Sequence, residues 1–275
     1  MRAGVAVVAV LALLAGCSGT PVGDATPTRT ITPVEVPASD RIAPGVTADG
    51  VVDPQALGAA HAGALDDRSY TLTANHSSTY ANGSVRSAYD VRVWLSADRD
   101  YRAVSRTAGP EAPVLLGAPP ASGEFWSNGT TYVAAVSHAN ETRYNRFRPP
   151  DGYAGTWRYW IEAVALDGDP AAAVAGVTRA ADPEPVGKRS VGGTVVYTLV
   201  GDSTTAPAGS DALVDARDAG VTVNVTETGL VRSYTLRYTA TTAAGATVTV
   251  VRRVRYGNVG ATTVERPDWF DRAVQ

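Results

Sequence analysis

The chain has 275 residues, of which 44% are hydrophobic, and its formal net charge is −3 at pH 7. Lys and Arg number 24 against 27 Asp and Glu, and they form no basic stripe, which argues against nucleic-acid binding. Cys17 is the only cysteine, so the sequence supports neither an internal disulfide framework nor a thiolate zinc cluster.

The first 16 residues have the layout of a secretory signal peptide. Arg2 supplies a positive charge, and Val5 to Ala15 form an apolar run that is shorter than the roughly 20 residues needed to span a bilayer. Gly16 then precedes Cys17, and this arrangement resembles the lipobox of bacterial and archaeal lipoproteins, in which the thiol is alkylated with a lipid. We therefore predict a lipid anchor on Cys17, and an uncleaved signal anchor with a free thiol is the alternative.

Residues 17–50 are rich in Pro, Thr, Gly, Ser and Asp and have no apolar period. This composition favours an extended chain, so we predict a tether that holds a globular domain off the membrane. Residues 51–275 are long enough for one β-rich domain with a single core. The sequence has no second apolar segment of spanning length, so we expect the mature protein on the extracytoplasmic face of the cell membrane.

The domain is predicted to begin with a helix and continue with strands. Asp53 followed by Pro54 is typical of a helix start, and Leu57, His61 and Leu65 lie along one face of the helix that follows. Three strands are predicted at "SYTLTANHS", "VRSAYDVRVWLSA" and "YRAVSRTA", with turns at 81–83 and 98–100. The stretch "GEFWSNGTTYVAAVSH" predicts a hairpin with Asn128-Gly129 as a type I′ turn.

The second half is predicted to open with helices and to close with a meander. After a break at residues 149–152, Trp157, Trp160 and Ile161 recur at helical spacing, and a further helix is predicted from Asp169 to Val174. A short helix is also predicted at "SDALVDARDAG", residues 210–220. The predicted strands are "GKRSV", "GTVVYTLVG", "VTVNVTETG", "LVRSYTLRYTAT", "ATVTVVRRVRYGNV" and "ATTVE".

Together these elements predict the fold class. Runs of strands with a separate helical layer indicate an α+β domain. The expected architecture is a curved antiparallel sheet, or half-barrel, with helices packed over its concave face.

Asparagine is concentrated in glycosylation sequons. Five of the seven asparagines lie in Asn-X-Ser/Thr, where a secreted protein can be N-glycosylated on its surface. The alternative is that a chain rich in Thr forms sequons by chance. The candidate sites are Asn75, Asn82, Asn128, Asn140 and Asn224.

Signatures of catalysis are missing from the sequence. It contains no His-Glu-X-X-His, Gly-X-Ser-X-Gly, phosphate-binding glycine loop or dinucleotide fingerprint. His61 lies on the apolar helix face and is interpreted as a packed, hydrogen-bonded core residue, whereas His76 and His138 adjoin sequons and are expected to be exposed. The acidic pairs 66–67 and 98/100 are interpreted as solvated turns. We therefore expect no enzyme activity, no cofactor and no metal site.

Several stretches together resemble a known family. They are the lipobox, "PGV" at 44–46, "LGAAHAGAL", "SYTLTAN", "FWSNGTTYV" and "VERPDWFDRA". These stretches resemble surface lipoproteins of halophilic archaea, and the order of elements is similar to the lipoprotein-carrier fold of bacterial sorting proteins and mycobacterial lipid-carrying lipoproteins.

The resemblance implies a hydrophobic trough that holds a lipid or an acyl chain under the helices. The residues that it suggests for the trough are Trp157, Trp160 and Ile161 in its lid and Trp94 or Trp126 on the sheet. Arg158, Arg252 and Arg253 are candidates for contact with an anionic headgroup at its rim.

Two functions remain open from the sequence. One is a membrane-anchored carrier of a lipid or other hydrophobic ligand, which requires an apolar trough. The other is a glycosylated surface module with a filled core, which acts structurally or through protein contacts and requires no ligand cavity.

Overall fold

The fold is taken from a computed structural model, which describes residues 40–112, 114, 116–147, 169–206 and 213–275. The helices of this part of the chain are α1 (Pro54–Leu65), α2 (Pro170–Arg179) and α3 (Phe270–Val274). Its strands are β1 (Arg41–Ala43), β2 (Val46–Thr47), β3 (Gly50–Val51), β4 (Tyr70–Tyr80), β5 (Val85–Leu95), β6 (Tyr101–Ala108), β7 (Ala121–Ser127), β8 (Tyr132–His138), β9 (Glu141–Arg146), β10 (Glu184–Val191), β11 (Thr194–Thr205), β12 (Leu213–Thr226), β13 (Val231–Thr242) and β14 (Thr247–Gly257). Cys17, Trp157, Arg158, Trp160 and Ile161 lie outside the described residues.

Eleven of the strands form one antiparallel sheet. Their order is β10-β11-β12-β13-β14-β4-β5-β6-β7-β8-β9, so β10 and β9 are the two edges and the sheet is open. Alternation of apolar and polar residues determines which face each side chain occupies, as in β12, where Val221, Val223 and Val225 are buried and Asn224 is partly exposed. The predicted fold class is confirmed, because this α+β domain is a curved half-barrel sheet with helices α1 and α2 on its concave face.

Helices α1 and α2 begin where the sequence predicts them and pack against each other. The Asp53 carboxylate caps α1 by accepting hydrogen bonds from the backbone N–H groups of Gln55 and Ala56 at 3.1 and 3.0 Å. Asp169 caps α2 in the same way. Gly58 permits the close approach of the two helices, because a Cβ at this position would collide with the carbonyl oxygen of Ala171.

The folded part of the chain begins earlier than predicted. Strands β1, β2 and β3 form a small sheet of their own, and Ala43 and Val46 are buried. Gly45 has a φ of 74°, and its carbonyl oxygen accepts the N–H of Asp53 at 3.1 Å. Residues 41–51 therefore belong to the folded unit, although the sequence assigns 41–50 to the tether.

Three local predictions are wrong. Residues 213–220 belong to β12 rather than to a helix, and 261–265 are not a strand. The hairpin between β7 and β8 has a four-residue loop, 128–131, in which Gly129 has a positive φ but Asn128 does not. A type I′ turn needs a positive φ at both central residues, so the loop is not of this type.

Candidate functional site

The concave face of the sheet changes in polarity along its strands. Beside α1 it is lined by apolar side chains that are almost completely buried, including Leu72, Val93, Leu95 and Leu236. Further along β4, β5 and β6 the concave positions become polar, whereas in β14 a single polar residue, Arg252, lies between the buried apolar residues Val254 and Val250. We call this set the polar patch, and it comprises His76, Ser78, Ser87, Tyr89, Ser105, Thr107 and Arg252.

Two hydroxyl groups of the polar patch, those of Ser78 and Ser105, are buried without a hydrogen-bond partner in the part of the chain that the structure describes. The side chains of Ser78 and Ser105 are 0% exposed, and neither Oγ atom has a hydrogen-bond partner among the described residues. A buried hydroxyl that makes no hydrogen bond costs about 1–3 kcal/mol, so it is uncommon in a core that serves packing alone. Arg252, which is 6% exposed, adds a cation to this end of the concave face.

The apolar end of the concave face is closed by a buried histidine of α1. His61 Nδ1 accepts the backbone N–H of Val231 at 3.2 Å, and its ring meets that of Tyr256 edge-on at 4.6 Å. Burial lowers the pKa of His61 to about 4, and the carboxylate of Asp169 opposes part of this effect. The histidine is thus the packed, hydrogen-bonded core residue that its sequence position predicts. Burial also raises the pKa of Tyr256 well above its ordinary value.

Trp94 and Trp126 lie on the convex face, so the expectation that one of them faces the trough is wrong. Trp94 alternates with the concave residues Val93 and Leu95, and Arg102 pairs with both tryptophans across the strands. The sequence contained this signal, because Trp94 has the same parity as the exposed Arg92. Neither tryptophan contributes to the concave site.

Trp126 is instead covered by the C-terminal segment. Its ring meets that of Phe270 at 5.2 Å, and Val133 and Trp269 pack in the same cluster. Arg272 of α3 donates a hydrogen bond to the Tyr144 hydroxyl at 3.1 Å. Helix α3 therefore packs on the convex side of β8 and β9, a placement that the sequence pattern did not predict.

Trp94 lines a polar cavity of about 350 Å³ on the convex face. The guanidinium groups of Arg92 and Arg102 lie 4.6 and 5.5 Å from the centre of its ring, and Arg102 is paired with Glu124 at 2.6 Å. The lining residues are Thr71, Trp94, Arg102, Asn258, Ala261, Thr262, Thr263 and Glu265. This lining suits a hydrophilic contact rather than an acyl chain.

The remaining candidates do not converge on one site. Arg253 is exposed on the convex face, opposite to Arg252. His138 is exposed as expected, whereas His76 is half-buried within the polar patch. In the sheet His76 and His138 are separated by four strand spacings.

The acidic turns are joined by ion pairs. Arg99 lies 3.8 Å from the carboxylates of both Asp66 and Asp67. Burial and the neighbouring Asp98 raise the pKa of Asp100.

Across the described ranges no three His, Cys, Asp or Glu side chains are grouped so that they could hold a metal ion. No helix in the same ranges has the length and apolar character needed to cross a membrane.

The sequence matches one protein-family model over almost its whole length. Residues 2–273 match a model described as a family of unknown function, DUF7537. No curated protein shows significant similarity to the chain.

The fold is weakly similar to several solved structures. LprF from Mycobacterium bovis is 13% identical with a TM-score of 0.38, and the match covers 80% of this chain and 98% of that one. The Mycobacterium tuberculosis lipoprotein LppX is 10% identical with a TM-score of 0.35, covering 77% and 97%. A LolA superfamily protein from Nitrosomonas europaea is 10% identical with a TM-score of 0.24, covering 78% and 95%. Since these TM-scores are below 0.5, the likeness carries no functional conclusion.

Proposed function

The chain belongs to the DUF7537 family, and we propose that it is a lipid-anchored extracytoplasmic protein that binds a lipid or other amphiphile along the concave face of its sheet. The protein acts by binding, without catalysis. One reason is that His61 is occupied as a hydrogen-bond acceptor in the core. The other is that His76 and His138 are too far apart in the sheet to act together.

The change in polarity along the concave face carries this proposal. An amphiphile has an apolar tail and a polar head, and the concave face offers a region suited to each. The tail would lie towards Leu72 and Val93, and the head would lie against the polar patch. The buried hydroxyls of Ser78 and Ser105 would then gain the hydrogen-bond partner that the described residues do not provide.

The location is proposed from the N-terminal sequence. A charged start, a short apolar run and Gly16 before Cys17 support signal cleavage and attachment of a lipid to the Cys17 thiol. Residues 18–39 would link this anchor to the domain. The anchor holds the sheet near the membrane, which is the source of an amphiphilic ligand.

Probe binding by the purified protein tests the ligand class. The expected result is that a fluorescent fatty acid binds, whereas an uncharged aromatic hydrocarbon such as pyrene binds more weakly, because only the fatty acid has a polar head. S105V should weaken fatty-acid binding by about threefold to tenfold, the loss that one hydrogen bond explains. The matched control is S122V, which changes the partly exposed convex face of the neighbouring strand β7.

Three results would contradict the ligand assignment. The first is no uptake of either probe, and the second is tighter binding of the hydrocarbon. The third is an equal effect of S105V and S122V, because only Ser105 faces the proposed site.

The second candidate function is a surface module that acts through contacts with other molecules, and the convex cavity favours it. Trp94 and the charged pair Arg102–Glu124 form a partly exposed polar surface there. On this account W94A removes binding to cell-surface partners and leaves uptake of the fatty acid unchanged. Loss of fatty-acid uptake in W94A would instead connect Trp94 to the lipid site and count against a separate contact surface.

A further inference from the structure

The five sequons differ in their local structure, although their sequence pattern is the same. Asn82 and Asn128 lie in the hairpin loops β4–β5 and β7–β8, and both are exposed. Each is followed by a glycine with a positive φ, 84° at Gly83 and 81° at Gly129, and a Cβ placed on either glycine would have nothing within 4 Å. These two sequons therefore stand in open space at the tips of hairpins.

The asparagine side chains of these two loops have the same hydrogen-bond arrangement. Asn82 Oδ1 accepts the N–H of Ser84 at 2.9 Å and the Ser84 hydroxyl at 2.7 Å. Asn128 Oδ1 accepts the N–H of Thr130 at 3.3 Å and the Thr130 hydroxyl at 3.0 Å. In each case the hydroxyl is that of the sequon itself. The Nδ2 atom takes no part in these bonds, and both asparagines are exposed residues.

The asparagines at 75 and 224 use their amide groups inside the sheet. Asn224 Nδ2 donates to Ser233 Oγ at 3.1 Å, and its Oδ1 accepts from Thr198 Oγ1 at 3.0 Å, so it bridges β12 to strands on both sides. Asn75 Nδ2 donates to Asp90 Oδ1 at 2.5 Å between β4 and β5. A glycan on either nitrogen would replace one of its two N–H hydrogens and would have to be accommodated beside a cross-strand hydrogen bond within the sheet.

Asn140 is exposed but lacks the arrangement of the two hairpin loops. It has a left-handed φ of 67° in the turn between β8 and β9. The hydroxyl of its sequon, that of Thr142, is hydrogen-bonded to Ser137 Oγ at 2.8 Å rather than to the asparagine. The structure thus separates Asn82 and Asn128 from the other three sequons.

We propose that Asn82 and Asn128 are the glycan acceptors of the folded protein, and that Asn75 and Asn224 are structural amides. In the transfer, Nδ2 forms a bond to the anomeric carbon of a saccharide carried on a polyisoprenyl phosphate. The bond between that carbon and the phosphate oxygen breaks, the lipid phosphate leaves with the electron pair, and Nδ2 releases one proton to the transferase. The proposal relies on the extracytoplasmic location proposed above, since the acceptors must meet an external transferase.

Mass mapping of glycopeptides tests the assignment on the full-length protein, isolated from membranes of the cells that make it. Occupancy at Asn82 and Asn128 should be at least about tenfold higher than at Asn75 and Asn224. S84A and T130A keep the asparagines but remove the sequon hydroxyl, so each should lower the intact mass by one glycan. S77A makes the same change in the Asn75 sequon and should leave the number of attached glycans unchanged.

The outcomes separate this proposal from the proposed function. A protein that carries lipid on Cys17 but no glycan at Asn82 and Asn128 overturns the acceptor assignment and leaves the anchor intact. Occupancy at Asn75, Asn140 or Asn224 as high as that at Asn82 and Asn128 overturns it as well. A protein with both hairpin glycans but no lipid on Cys17 supports the acceptor assignment and removes the anchor.

Discussion

Acidification should destabilise the fold through the buried side chain of His61. Burial lowers its pKa from 6.5 to about 4 in the folded protein, so the fold favours the neutral imidazole. As the pH falls below 6.5 the unfolded chain gains a proton that the folded chain does not accept until about pH 4. The contribution is fully present above pH 6.5 and is lost progressively as the pH falls towards 4.

The size of the effect follows from the two pKa values. Between pH 7.5 and 4.5 the free energy of unfolding should fall by about 2.5 kcal/mol on account of His61 alone, because each pKa unit corresponds to about 1.4 kcal/mol. Asn at position 61 keeps an acceptor close to Nδ1 for the Val231 N–H but does not titrate. H61N therefore keeps the hydrogen bond to Val231 and removes the titrating group, so it separates the two contributions to stability.

Urea unfolding of the wild type and H61N at four pH values between 7.5 and 4.5 measures the difference. H61N is expected to be less stable at pH 7.5, because its smaller side chain leaves space beside Tyr256, but its stability should fall less on acidification. Carboxylates elsewhere affect both proteins equally and cancel. Two parallel curves of unfolding free energy against pH would refute the assignment of this proton to His61.

Further predictions concern the glycines, a helix cap and the C-terminal segment. G58A should lower the unfolding free energy by more than 1 kcal/mol because its Cβ meets a backbone carbonyl of α2, whereas G63A on the open side of the same helix should raise it by about 0.5–1 kcal/mol; urea unfolding that ranks them in the reverse order would exclude this packing. G45A should lower the melting temperature of the domain, because Gly45 has a positive φ and an added Cβ would collide with the carbonyl oxygen of Asp53. An unchanged melting temperature would mean that residues 41–51 do not contribute to the stability of the fold. D53A should cost about 1 kcal/mol through loss of the α1 cap, measured by the same urea titration, and no loss would contradict the capping role. F270A should expose Trp126 and shift tryptophan emission to longer wavelength, while an unshifted spectrum would mean that the C-terminal segment does not cover it.

Alternating sequence predicted the sheet well because one face of each strand is buried. In β5 the residues Val91-Arg92-Val93-Trp94-Leu95 alternate between the two faces of the sheet. This alternation predicts both the strand and the face on which each side chain lies. The family resemblance suggests Trp94 or Trp126 for the trough, although the parity of Trp94 with Arg92 indicates the convex face. Parity within a strand is therefore a better guide to the facing of a tryptophan than its residue type.

Bulges account for the helix that was wrongly predicted at residues 210–220. The pairing of β12 with β13 shifts register between Val214 and Arg217 and again between Arg217 and Gly220. Asp215 and Asp218 have positive φ values of 51° and 55°. Each bulge adds a residue to one strand and interrupts the period of two, so the spacing of apolar residues becomes similar to that of a helix.

Two features could not be predicted from sequence patterns, and the reason is different. They are the packing of the C-terminal segment against Trp126 and the polar patch. Phe270 meets Trp126 across a separation of more than a hundred residues, and no local periodicity encodes such a contact. The polar patch combines residues from β4, β5, β6 and β14, and each strand contributes only one or two of them. A site built in this way becomes visible only when the order and register of the strands are known.

Comparison of native and denatured mass tests the proposed function most directly. The protein would be extracted from membranes in a detergent of known mass, with its lipid anchor in place. The account predicts an additional, reproducible mass in the native state that extracts into organic solvent and belongs to an amphiphile with a polar head, and that S105V retains less of it than S122V. A native mass equal to the denatured mass, together with no uptake of added fatty acid, would contradict the account and leave the protein as a surface module.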